Sequence, residues 1–383
     1  MPLVTLLACA PLTCTSPACA GVAALQSGAP VRQERESGTP PEPRFAWFAG
    51  SFDELLAEAK REERIVLLSF LSQTNAYSKK LERGTLAEPR VQSELAGLLC
   101  YPVDADAKET KALRKRYQVL SSPALVFLDP DAGLRDQLSG YYSPDSFLLE
   151  LRRIKANHGT FSDLRARIRA RADDLDARWE LAVKLRAIGD VAGYEREVAE
   201  LRERDPEGRS TASKRMRLAA LHKAAAVTLE LEPLYRFVES EKEPALLFEG
   251  WHAIWLLEGQ ALRAADEPER RRRHELRYFA AARALWPLVP AEKVGFLGND
   301  IAWYIYENRG AATRVDLDFA LEVAQAAAAA APLVPAVVDT LACCLFAIGR
   351  HEEALAHIRR CIELDPQNPT WRERLSEFQN ASR

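Results

Sequence analysis

The sequence predicts a mixed α/β domain over residues 45–156 followed by an all-α repeat array over residues 157–383. Three observations carry this division. Short β-prone apolar runs at 64–71 and 124–128 alternate with segments of helical spacing in the first part. Strand signals stop after residue 157. The second part contains an internal repeat: LAVKLRAIG at 181–189 returns as LACCLFAIG at 341–349, and 17 positions separate Gly189 from Pro206 and Gly349 from Pro366.

Residues 1–20 form an apolar start in which Ala18-Cys19-Ala20 has the form of a cleavage site, so the chain is expected to be exported, periplasmic or secreted. Leu6-Leu7-Ala8-Cys9 has the form of a lipobox, which adds a lipid anchor as an alternative, although no Lys or Arg precedes either motif. Residues 21–44, rich in Pro, Gly, Ser and charge, read as a linker. Ser51 followed by Glu54 is a capping box opening the first helix. A buried strand over 64–71 comes next, then a helix over 75–83, a strand over 98–103 and a helix over 108–117. The strand at 124–128 turns through 129–133 and pairs back with 134–139. Ser143-Pro144 starts the last helix of the domain, through residue 156.

In the array, Gly ends a first helix and Pro stops a second, clearest at 175–206 and 301–379. A 34-residue offset links Ala320 to Ala354 and Pro332 to Pro366. Residues 210–290 are helical but degenerate, and Trp251, Trp255 and Leu262 mark a core-facing helix side. The run Arg270 to Arg273 with His274 reads as a solvated helix start.

Composition narrows function. The chain has 383 residues, 48% apolar and 28% charged, with net charge -3, and nothing in that balance calls for nucleic acid. After the start, no apolar run reaches the ~18 residues of a membrane span. Neither C-x-x-C nor H-E-x-x-H occurs, so no metal and no cofactor is expected.

On the residues SFDELLAEAKREER, IVLLSF, KKLERGTLAEPRV, Val103-Asp104 and SSPALVFLDPDAG, residues 45–156 resemble the thioredoxin superfamily. The resemblance places Pro123 at the family's cis-proline and Asn75-Ala76-Tyr77-Ser78 over its C-x-x-C, with Asn75 at the nucleophile position and Ser78 at the resolving position. Dithiol exchange needs a thiolate, which neither an amide nor a seryl hydroxyl supplies. Residues 301–379 resemble tetratricopeptide repeats, with Ala342, Gly349, Ala354 and Pro366 at the small, turn and stop positions. The architecture expected is therefore a thioredoxin-like domain and a tetratricopeptide-like array. The expected function is non-catalytic binding of a protein or peptide partner. A family-type peptide groove at Ser122, Pro123, Asn75 and Tyr77 is one candidate surface. The alternative is a single-thiol oxidoreductase or disulfide isomerase using Cys100, the only thiol of the α/β domain.

Overall fold

The computed structural model describes residues 46–381. The targeting segment and linker assigned to residues 1–44 lie outside the described residues. The described chain divides into two compact units between Lys214 and Arg215.

The first unit opens with α1 (Phe52–Glu62), whose capping box at Ser51 and Glu54 forms as expected. Then come β1 (Val66–Leu71), α2 (Ala76–Lys80), a π-helical turn at Leu81–Thr85, α3 (Pro89–Leu95) and β2 (Leu99–Asp104). A 3-10 turn leads into α4 (Lys111–Arg116), followed by β3 (Ala124–Leu128), β4 (Leu134–Ser139) and α5 (Pro144–Lys155). The sheet order is β2-β1-β3-β4. β1 runs parallel to β2 and antiparallel to β3, and β3 and β4 form a hairpin.

Strand alternation sorts the core into two layers. Leu67, Leu71, Cys100, Leu125 and Phe127 face α3 and α5 through Val91, Leu95, Phe147 and Leu151. Val66, Leu68, Phe70, Val126 and Leu128 face α1 through Leu55 and Ala59. Because both faces are covered, the central strands read as unbroken apolar runs.

Three further helices belong to this unit: α6 (Phe161–Ala170), α7 (Leu175–Ala187) and α8 (Val191–Arg204). Leu134 of β4 packs on the Phe161, Leu164 and Leu181 cluster. The carboxylate of Asp136 on β4 is fully buried and meets Arg153 of α5 at 2.6 Å and Lys184 of α7 at 2.8 Å. Ser162 of α6 donates to Asp129. A buried carboxylate shared by two cations ties the first helical pair to the sheet, since removing either side leaves an uncompensated charge.

In the second unit, α9 (Thr211–Thr228), whose first residues belong to the first unit, leads into α10 (Glu232–Ser240), α11 (Pro244–Ala264) and α12 (Pro268–Leu285). The array ends with α13 (Val294–Glu307), α14 (Arg314–Ala330), α15 (Pro335–Ala347), α16 (His351–Leu364) and α17 (Pro369–Ala381). The internal repeat is real in geometry. The pairs α7/α8 and α15/α16 have the same lengths, 13 and 14 residues. Gly189 and Gly349 take φ of 81° and 88° between the two helices of each pair, the left-handed region that glycine enters without a Cβ penalty. Ala354 and Cys361 are fully buried on α16, where small side chains let the paired helices approach. Among the described residues no helix is long and apolar enough to cross a membrane.

Candidate functional site

The loop that leaves β1 is fastened before it reaches Asn75. Ser72 Oγ donates to Asp106 Oδ2 at 2.9 Å and accepts the amides of Thr74 and Asn75 at 3.2 Å each. Asn75, with φ -90° and ψ 122°, is the N-cap of α2. Its Oδ1 accepts from the amides of Tyr77 at 2.8 Å and Ser78 at 3.2 Å, which a helix start otherwise leaves free. Its Nδ2 donates to the Ser122 carbonyl at 3.1 Å. The Ser122–Pro123 peptide is cis, as the resemblance implies. The structure thus brings Asn75, Tyr77, Ser78, Ser122 and Pro123 to one place.

The chemistry available there is limited. Both polar ends of Asn75 are engaged, one in a helix cap and one across to the proline loop. Ser78 is buried and its Oγ has no partner. Ala76 is exposed but carries no functional group. Tyr77 and Leu120 are 63% and 62% exposed, so the surroundings offer apolar contact more than reactivity. The Leu120 side chain also closes on Gly189, where an added Cβ would meet Leu120 Cδ1 at 2.8 Å. The α7/α8 turn therefore borders the proline loop.

Cys100 is not part of this site. It stands on β2 opposite Leu67, at the far end of β1 from the strand end that leads to Asn75. It is 1% exposed, and burial pushes its thiol up to about 12, only weakly opposed by Arg64. The array's thiols behave alike. Burial raises Cys344 and Cys361 to about 12 and pushes Cys343 up as well. Burial inside an apolar layer disfavours the thiolate that nucleophilic chemistry needs.

Two concavities lie elsewhere on this unit. One of about 720 Å³ between α3 and α5 is lined by Arg90, Glu94, Leu149 and Arg152. Another of about 370 Å³ is lined by Trp47, Arg64 and Cys100. Neither includes Asn75 or Pro123. Among the described residues no three His, Cys, Asp or Glu side chains are grouped to hold a metal.

Sequence reasoning missed the buried polar groups of the array. His274, read as part of a solvated basic run, is buried, and its Nδ1 lies 2.6 Å from Glu258 Oε2. Tyr235 donates to the other oxygen of Glu258 at 2.8 Å. The signal was present: His274, Tyr278, Ala281 and Leu285 share the apolar stripe of α12. Asp339, amid the buried residues of α15, takes the fork of Arg374 at 3.3 Å through both oxygens.

Comparison with known proteins agrees with this architecture. The thioredoxin-like domain family matches residues 52–155. The thiol:disulfide interchange protein DsbD of Ralstonia nicotianae is 31% identical over 104 residues, 26% of this chain. Those residues are 17% of the DsbD length, so this chain spans only a small part of that relative. A thioredoxin from Thermus thermophilus is 31% identical over 29% of this chain and 87% of its own, with TM-score 0.27. A thermophilic TPR protein of Thermus thermophilus is 18% identical over 61% of this chain and 94% of its own, with TM-score 0.25. The chain carries a match to the thioredoxin-like domain family over residues 52–155, followed by an all-α array of helices.

Proposed function

We propose that the protein is a non-catalytic interaction protein. In this reading the helical array provides the partner surface, and the thioredoxin-like domain provides rigid support or a second peptide site at Ser122 and Pro123. The observation that carries the reading is Asn75: the side chain at the nucleophile position is occupied at both ends, as the cap of α2 and as the donor to Ser122. An engaged amide cannot attack a disulfide. Cys100 offers no substitute, since it is buried, held protonated and away from Asn75. Stacked helical pairs present extended surfaces suited to protein partners. Export through residues 1–20 belongs to the same proposal and is tested by the N-terminal sequence of the chain recovered from each cell fraction.

Affinity capture on the full-length chain tests the binding reading. Partners retained by the wild type and by Asn75→Ala, but lost from Ala354→Trp, would locate binding in the array. A partner set unaffected by Ala354→Trp would refute that assignment.

A further inference from the structure

The concavity of about 720 Å³ between α3 and α5 carries a regular charge pattern. Arg90 and Glu94 stand one turn apart on α3. Asp145, Leu149 and Arg152 follow one another on α5 at spacings of four and three, so they share a face. Two ion pairs join the helices. Arg90 Nη1 lies 3.0 Å from Asp145 Oδ1, and Arg152 Nε lies 3.2 Å from Glu94 Oε1. The pairs make α3 and α5 parallel neighbours, each pair crossing the groove near one end. Four charges therefore mark four corners, and their signs alternate: plus then minus along α3, minus then plus along α5. Glu88 stands beside Arg90 at 3.2 Å and Lys155 beside Glu94 at 2.8 Å, which extends the alternation outward.

Between the two pairs lies Leu149, 70% exposed on a helix side that is otherwise charged. Its neighbour Leu148 is buried in the core below. Arg90, Asp145 and Arg152 are exposed as well. Exposed ion pairs of this kind contribute little on their own. Their members can exchange partners across an interface at small cost, while covering Leu149 supplies apolar burial.

An alternating square of charges is complementary to itself. Laid face to face about a twofold axis running across both helices, it sets Arg90 against Glu94 of a second copy and Asp145 against Arg152 of that copy. The same operation brings Leu149 onto Leu149 and Glu88 towards Lys155. An axis running along the helices also matches signs, but it sets Leu149 against the exposed hydroxyl residue Ser93. A partner surface of a single sign meets like charge at two of the four corners, which disfavours it. We propose that the α3/α5 face is a self-association surface, on which a second copy of this chain docks about the crosswise twofold axis. It is separate from the array surface on which the binding reading rests.

Sedimentation velocity of the full chain tests this at loading concentrations from about 1 to about 200 μM, the weak end of the range for specific interfaces. The wild type should form a dimer as concentration rises. Leu149→Glu and Asp145→Arg should each weaken it about tenfold or more. Adding Arg152→Glu to Asp145→Arg should restore it, because the crosswise axis then sets Arg at 145 against Glu at 152 of the second copy. Within one chain the same double change places like charges beside both Arg90 and Glu94, so a repaired fold cannot mimic the rescue. The altered positions are exposed, and unchanged circular dichroism spectra confirm folding. A wild type that stays monomeric throughout would overturn the proposal and leave the face to another partner or to none. A dimer indifferent to Leu149→Glu, or one that the double variant fails to restore, would overturn it as well.

Discussion

Replacing Asn75 with Ala should destabilise the first unit by about 2 kcal/mol. The N-cap bonds to Tyr77 and Ser78 account for about 1 kcal/mol. The Nδ2 bond to the Ser122 carbonyl, which spans 47 residues of chain, adds about 0.5–1.5 kcal/mol. Asn75→Asp separates the two contributions. Its carboxylate keeps the cap but cannot donate to Ser122, so it should recover the cap and lose the clasp. Urea unfolding followed by circular dichroism gives the totals, and hydrogen exchange at the Tyr77 and Ser78 amides localises them. Those amides should exchange faster in Asn75→Ala and retain protection in Asn75→Asp. If Asn75→Ala unfolded at the wild-type urea concentration with unchanged exchange, Asn75 would not be a structural clasp, and the physical reason for calling the motif redox-dead would weaken.

Other outcomes follow from the same contacts. Ala354→Trp should lower stability by about 1–3 kcal/mol or more through overpacking, whereas the same change at exposed Glu352 should stay within about 0.5 kcal/mol, as thermal melts would register. Gly189→Ala should cost more than Gly349→Ala: both lose the left-handed conformation at about 1–2 kcal/mol, but only Gly189 also meets Leu120. Asp339 has its carboxyl pushed up to about 6 by burial, with Arg374 opposing. Its folded value lies above its ordinary 3.8, so the stability tied to its protonated form is full below pH 4 and is lost as pH rises towards 6. Asp339→Asn should remove that component, seen as the difference between variant and wild-type urea midpoints at pH 4 and 7.

Much of this was legible because it depends on local pattern. The central strands β1 and β3 announced themselves as largely apolar runs, and both glycine turns as a repeat of spacing. The loss of the cysteines was visible once Lys79-Lys80-Leu81-Glu82 fixed the register. What replaced them was not. The bond from Asn75 to Ser122 joins residues far apart in sequence, and no local signal encodes it. The buried carboxylates were hidden for the same reason. Asp136 sits on a strand whose neighbours are polar, and its partners Arg153 and Lys184 lie on two later helices. His274 was obscured by composition: four arginines precede it, and charge content outweighed helical phase. The turn at Leu81–Thr85 widens to π-helical form where an uninterrupted helix was expected, and hydrophobic spacing does not distinguish the two.

The claim that the thioredoxin-like domain performs no dithiol exchange meets its most direct test in insulin reduction by dithiothreitol, followed as turbidity with the full-length chain. The account predicts that wild type and Cys100→Ser both match the rate without protein. Catalysis by the wild type that disappears in Cys100→Ser would contradict it, because a thiol placed in the core would then be doing chemistry.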